Sequence, residues 1–81
     1  MNNDNHKSPV ALNKAKPRLA YLVVGLSGDG EAQQRLAALG FVRGAEVIVL
    51  QRVAGGAKVR VNGFNLAMDG NSLAQVIVEK A

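Results

Sequence analysis

The sequence contains no cysteine and no tryptophan, and histidine occurs once among its 81 residues. Without cysteine the chain cannot form a disulfide, and the thiolate ligands of most structural zinc sites are missing. The one histidine, His6, lies in a polar N-terminal stretch. Neither a serine–histidine–aspartate triad nor a ferrous site with two histidines can therefore be assembled. We predict that the protein is not an enzyme and has no cofactor or metal site.

Long apolar runs are also missing from the sequence. No stretch approaches the roughly 20 apolar residues that cross a bilayer, and residues 1–8 lack the apolar core of a signal peptide. The formal net charge of +4 is compatible with an acidic protein partner, a nucleic acid or a membrane surface, and requires none of them. We expect a cytoplasmic protein with no membrane insertion, folded as one domain.

Residues 1–16 are predicted to form a mobile polar tail, and residues 17–81 the folded domain. The beginning of the tail is rich in asparagine and has little apolar surface to bury. Val10, Ala11 and Leu12 are expected to pack on the domain edge. Pro17 disfavours a helix that would run from the tail into the domain.

Short apolar segments separated by turn residues predict five strands. The first is Ala20–Leu26, and the pair Asn62-Gly63 is typical of a two-residue hairpin turn because both positions need a positive φ. The other strands are 45–53, 57–62, 64–68 and 75–79, with turns at 27–30, 54–56 and 69–72. Alternation places Lys58 and Arg60 outward. It directs the following side chains toward the core: Val59, Val61, Phe64, Leu66 and Met68. The strand 45–53 is predicted to have apolar residues on both faces, with Val47, Val49 and Val53 on one and Ile48 and Leu50 on the other.

One helix is predicted over residues 31–39. Ala32, Leu36 and Leu39 share one of its faces, because they are spaced i, i+4 and i+7. Asp29 is the predicted N-cap, since its carboxylate can accept a hydrogen bond from a free backbone N–H of the first turn.

The end of this helix leads into the longest predicted strand. Gly40 can adopt a positive φ and stop the helix, and Phe41 is predicted to fold back on Leu36. The order is then strand, helix and four further strands. Five short strands leave two edges open unless the sheet closes. We therefore predict an all-β fold with one short helix, a small barrel in the order β-α-β-β-β-β.

A motif runs through the helix and the strand that follows it. Residues 35–47 read RLAALGFVRGAEV, an arginine–leucine helix with a leucine–glycine–aromatic ending, then a glycine and a strand. From residue 59 onward a valine-rich strand, a glycine and a leucine–alanine pair follow, and 76–78 is again a valine-rich strand. In this order and spacing, the sequence resembles the FeoA family and the FeoA-like domain at the C-terminus of some iron-dependent repressors.

The sequence departs from the family pattern at three positions. Ala57 stands where a proline is common after the turn glycines, and Arg18 where a glycine commonly follows the proline. Met68 stands where a basic residue often follows the leucine–alanine pair. These positions are in turns and in one strand, so they leave open a divergent FeoA-like paralogue with a different partner.

The resemblance implies an SH3-like barrel over nearly the whole folded part of the chain. It also implies a role in ferrous iron uptake and transition metal homeostasis, beside FeoB. FeoB is the membrane ferrous-iron transporter that carries a cytosolic GTPase domain. The family is regarded as a binding and regulatory partner, so the implied function is protein–protein interaction without chemistry.

Polar side chains on the predicted outer surface are the candidates for partner binding. Gln34 and Arg35 are expected to face outward on the helix, and Lys58 and Arg60 outward from one strand, where an acidic partner would meet them. The alternatives are a solvated helix face and the protection of a sheet edge by charge. The full candidate set is Gln34, Arg35, Arg43, Arg52, Lys58 and Arg60.

Two other functions compete with this one. The positive charge also suits a small basic barrel that binds nucleic acid, but single-strand binders need aromatic stacking platforms. Tyr21, Phe41 and Phe64 are the only aromatic residues apart from His6, so nucleic acid is disfavoured. A detached repressor domain is the third hypothesis, and it lacks the helix-turn-helix that such proteins carry.

Overall fold

The fold is a six-stranded antiparallel sheet with two short α-helices, as described for residues 8–81 in a computed structural model. The predicted mobility of residues 1–7 lies outside the described residues. The strands are β1 (Val10–Ala11), β2 (Ala20–Leu26), β3 (Glu46–Val53), β4 (Gly56–Val61), β5 (Phe64–Asp69) and β6 (Val76–Lys80). The helices are α1 (Gly30–Ala38), α2 (Gly70–Gln75) and a 3₁₀-helix, Leu12–Lys14.

The sheet is curled into a small SH3-like barrel, with the strand order β1-β6-β2-β3-β4-β5. Its two end strands, β1 and β5, are not paired with each other. Helix α2 lies between them, packing against β1 and the 3₁₀-helix on one side and against β4 and β5 on the other. The predicted closure is thus completed by a helix. The largest fully buried side chains are Phe41, Leu12, Leu36, Val23, Val47, Val49, Val59, Val61, Val76 and Val78.

Helix α1 begins as the sequence predicts. The Asp29 side chain accepts a 2.8 Å hydrogen bond from the backbone N–H of Ala32, which satisfies one of the free donors of the first turn. Ala32 and Leu36 are buried, and Leu36 belongs to the hydrophobic core. The predicted face is shorter than expected, however, because Leu39 is half exposed. Leu39 is the C-cap residue, and the chain turns away from the helix axis immediately after it.

The end of α1 has both hydrogen bonds of a Schellman motif. The N–H of Phe41 donates to the carbonyl of Leu36 at 3.1 Å, and the N–H of Gly40 donates to that of Ala37 at 3.0 Å. Gly40 has a φ of 111°, which suits glycine. This turn directs Phe41 into the core, where it is fully buried. Burial of a side chain of this size contributes about 1.5–3 kcal/mol relative to exposure.

The structure confirms the predicted alternation of buried and exposed side chains on β4, and confirms part of the predicted core face of β5. Val59 and Val61 are buried, and the Asn62-Gly63 turn has φ values of 51° and 86°. Leu66 is half-buried and packs against the core, and Met68 is buried. Phe64, predicted to be a core residue, is 75% exposed. It lies next to the turn on a sheet edge, beyond the end of the core.

A β-bulge in β3 removes Val53 from the face that it was predicted to share with Val47 and Val49. The pairing with β4 shifts between Val49 and Gln51, so that Leu50 is an extra residue. A shift of one residue exchanges the faces of all later side chains. Arg52 is consequently opposite the buried Ala57, and Val53 is exposed.

The segment after β5 was predicted to be a turn over 69–72, and the structure has helix α2 there. The Asp69 side chain caps this helix by accepting a 2.7 Å hydrogen bond from the N–H of Ser72. Leu73 is buried and anchors the helix to the core. Six residues are too few for a helical period to be recognised in the sequence.

The structure places Val10 to Lys16, assigned to the tail from the sequence, against the folded domain. Val10 and Ala11 form β1, which pairs with β6. Leu12 is fully buried, and Ala15 is nearly so. The N–H of Lys16 donates a 2.9 Å hydrogen bond to the Tyr21 hydroxyl. The packed domain therefore begins before the predicted boundary at residue 17.

Arg18 has a φ of 74°, in the left-handed region that side chains other than glycine rarely adopt. Its N–H donates a 2.8 Å hydrogen bond to the carbonyl of Val49, which joins this turn to β3. A residue with a Cβ costs about 1–2 kcal/mol in this conformation. Arg18 replaces a glycine that is common in the family, and its backbone conformation is one that favours glycine.

We expect Arg18→Gly to stabilise the protein by about 1 kcal/mol, because it removes this strain and keeps the backbone hydrogen bond. The measurement is urea unfolding followed by circular dichroism. Asn62→Gly is the matched control, with a gain below about 0.5 kcal/mol, since asparagine tolerates a positive φ. A loss of stability in Arg18→Gly would show that the arginine side chain contributes more than the strain costs.

Candidate protein-binding surface

The outer face of β4 displays two cations next to each other. Lys58 and Arg60 are exposed and alternate with the buried Val59 and Val61, as predicted. The Nε of Arg60 donates a 2.9 Å hydrogen bond to Oδ1 of Asn65, its cross-strand neighbour on β5. This contact holds the guanidinium against the sheet.

An open groove of about 320 Å³ crosses the strands beside these cations. Leu50 and Leu66 supply apolar surface, Lys58 one charge and Asn65 and Ala67 the wall on β5. No carboxylate lines the groove. Leu50 is the extra residue of the β3 bulge, so the irregularity that the sequence did not reveal also shapes this surface.

Arg52 is separate from the other cations of the barrel. The bulge pairs it with the inward-facing Ala57, whereas Lys58 is on the outer face. Its Nη2 donates a 2.6 Å hydrogen bond to the carbonyl of Ala15. Arg52 thus ties the N-terminal segment to β3, and the structure gives this candidate residue a stabilising contact within the domain.

The remaining candidates surround α1 and its end. Gln34 and Arg35 are exposed on the helix, and Arg43 is exposed in the loop to β3. The charge of Arg35 also contributes to the electrostatics of the cap of α2, described below. The six candidates therefore do not form one patch: Lys58 and Arg60 are adjacent, and the others are distributed over the helix and the N-terminal side.

Three exposed apolar residues lie at the end of α1 and at the β4–β5 hairpin. Leu39 is 50%, Val42 49% and Phe64 75% exposed. A side chain at Gly40 would contact Val61 at 3.7 Å, so the end of α1 lies beside the β4–β5 hairpin. Helical spacing and strand alternation assigned Leu39 and Phe64 to the core, because neither pattern indicates where an element extends past it.

Asp69 is the one group in the described chain whose pKa is clearly shifted. The pKa of its carboxyl is lowered below its usual range, first by the hydrogen bond from the Ser72 N–H, then by the Ser72 hydroxyl, and slightly by Arg35. The ionised form is the better helix cap. The carboxylate at the end of β5 is thus engaged in capping α2.

Residues 8–81 contain no group of three or more histidine, cysteine, aspartate or glutamate side chains placed to hold a metal ion. Neither α-helix in this range has the length and apolar character needed to span a membrane.

The family model of the FeoA domain matches residues 10–80. A crystal structure of FeoA described as an iron uptake regulatory protein shares 28% identity, with a TM-score of 0.83 over 91% of this chain and 100% of that one. FeoA from Chlorobium tepidum shares 27% identity, with a TM-score of 0.79 over 88% of this chain and 70% of that one. A search of curated protein sequences finds no match.

A manganese-dependent transcriptional repressor shares the fold at 18% identity, with a TM-score of 0.82. The match covers 90% of this chain and 37% of the repressor. At this identity the likeness concerns the fold alone. It agrees with the resemblance of the sequence to the barrel domain of such repressors.

Arg52→Met tests the tie between β3 and the N-terminal segment. Methionine keeps much of the aliphatic stem and removes the hydrogen bond, so we expect a loss of about 1 kcal/mol and faster hydrogen exchange at the amides of Ala15 and Lys16. Urea unfolding and exchange measured by NMR check this. Arg43→Met is the control, expected to change stability by less than about 0.5 kcal/mol. An equal loss of stability in both variants would contradict the role of Arg52 in holding the N-terminal segment against β3.

The Asp69 cap makes stability depend on acidity. Because the folded-state pKa of Asp69 is lowered, its stabilisation is present above the unfolded-state pKa, near 4, and is lost as pH falls through the folded value. Asparagine also caps helices but does not titrate. We expect the Tm of the wild-type protein to fall more than that of Asp69→Asn between about pH 5 and pH 2. Parallel Tm curves would contradict this.

Proposed function

Because the chain belongs to the FeoA family, which is associated with ferrous iron transport, we propose that it is a cytoplasmic accessory protein of ferrous iron uptake. It regulates a FeoB-type transporter by contact with the cytosolic GTPase domain, and it has no chemistry of its own. The observation that carries this proposal is the extent of the family match, residues 10–80, which spans nearly the whole described domain.

The surface of the barrel supports a protein partner. Lys58 and Arg60 provide positive charge beside a groove whose lining includes Leu50 and Leu66. Arginine is enriched among the residues that dominate the binding energy of protein interfaces. Of the six candidates from the sequence, Lys58 and Arg60 are therefore the ones on which we focus, with Gln34, Arg35 and Arg43 as secondary contacts.

Titration of this protein into the purified cytosolic GTPase domain of the FeoB from the same organism tests the proposal. We expect saturable binding by calorimetry, with and without a GTP analogue, and a change in the rate of GTP hydrolysis. Lys58→Glu/Arg60→Glu is expected to weaken binding about tenfold, because two exposed ion pairs together are worth roughly 1.4 kcal/mol.

Lys14→Glu/Lys80→Glu is the matched control, since it makes the same change in net charge at exposed positions away from the groove. Its affinity should stay within about twofold of the wild-type protein. Absence of binding in every nucleotide state would overturn direct contact with this domain and favour a paralogue with another partner. Salt-dependent binding to DNA or RNA in a parallel titration would favour the nucleic-acid alternative.

A further inference from the structure

Strand β5 is an edge of the sheet. Helix α2 packs against it, but its residues Asn65 and Ala67 remain exposed, and the strand itself lacks the usual sequence features that prevent pairing. It pairs only with β4 among the described strands, and its six residues include no lysine, no proline and no bulge. Natural edge strands are normally shortened, charged or interrupted. The other edge strand, β1, is shortened to two residues. Of the two edge strands, β5 is therefore the one long enough to pair with an additional strand.

The register identifies which backbone groups face outward. Val61 and Phe64 flank the two-residue turn and form the first hydrogen-bonded pair of the hairpin. Along an antiparallel ladder, hydrogen-bonded pairs alternate with pairs that are not hydrogen-bonded. Leu66, two residues after Phe64, therefore also bonds to β4. The N–H and C=O groups of Asn65 and Ala67 therefore point away from β4. Both residues are exposed.

The charges near this edge indicate what would pair with it. Lys58 lies opposite Ala67, and Arg60 opposite Asn65, so both cations share the outer face on which a partner residue paired with Ala67 or Asn65 would place its side chain. Ala67 is small and leaves Lys58 accessible through the groove. The one carboxylate of β5, Asp69, is engaged with Ser72.

We propose that β5 binds an extended acidic segment of a partner protein by antiparallel strand addition. The backbone of the segment bonds to Asn65 and Ala67, and its carboxylates lie on the same outer face as Lys58 and Arg60, within reach of these long side chains. Pairing of β5 with a second copy of this chain is disfavoured, because each copy carries a net charge of +4 and would bring the same cations to one sheet. This inference does not depend on which protein supplies the segment.

The probe is a blocked peptide with the repeat Val-Glu-Val-Glu-Val-Glu, titrated into the ¹⁵N-labelled full chain. We expect amide shifts concentrated in β4 and β5, and slower hydrogen exchange at Asn65 and Ala67. The same peptide with lysine in place of glutamate should not bind. Lys58→Glu/Arg60→Glu should raise Kd about tenfold, and the control Lys14→Glu/Lys80→Glu should change it by less than about twofold.

Two N-methylated peptides test the pairing itself without altering the protein. In an added antiparallel strand, the residues that bond to Asn65 and Ala67 lie directly opposite them and have their side chains on the outer face, so these are the glutamates. N-methylation of the glutamates should abolish binding, and N-methylation of the valines, whose N–H groups face away, should not. The proposal is overturned by equal effects of the two methylations, by binding of the lysine peptide, or by absence of binding. Concentration-dependent dimerisation through β5 would overturn it in favour of self-pairing.

Discussion

The burial of one face of β4 is the constraint on which the rest of the structure depends. Ala57, Val59 and Val61 point into the barrel, and each is opposite a residue on both neighbouring strands. A slip of one residue in either pairing would move charged side chains inward. The same alternation that buries the valines leaves Lys58 and Arg60 outside. The core and the candidate binding surface are thus two consequences of one register.

Local rules predicted the features that depend on a few neighbouring residues. The Asp29 cap, the glycine ending of α1 and the Asn62-Gly63 hairpin each need one particular side chain or backbone angle, which the sequence shows directly. Features set by distant partners were not predictable in this way. The bulge at Leu50 is defined only against β4, and the burial of Leu12 requires helix α2, which packs on the 3₁₀-helix.

The candidate surface also combines features that local sequence patterns predict with features that depend on distant partners. That Lys58 and Arg60 face outward follows from alternation, which a sequence displays. That Arg52 belongs to a different face follows from the bulge, so its grouping with them by charge alone was not reliable. The side chain of Phe64 is directed to the same face of β5 as the buried Met68. It is exposed because it lies next to the turn, beyond the end of the core. The periodicity of a sequence indicates the face to which a side chain is directed, and it does not indicate how deeply that side chain is buried.

The departures from the family pattern fall on the framework and not on the outer face of β4. Ala57 and Met68 are cross-strand partners, and both are buried. Methionine adapts to irregular space beside a small residue such as alanine. These two departures therefore lie side by side inside the barrel, while Arg18 lies in a turn bonded to β3. The residues proposed for partner binding lie elsewhere, so these three departures leave the outer face of β4 unaltered.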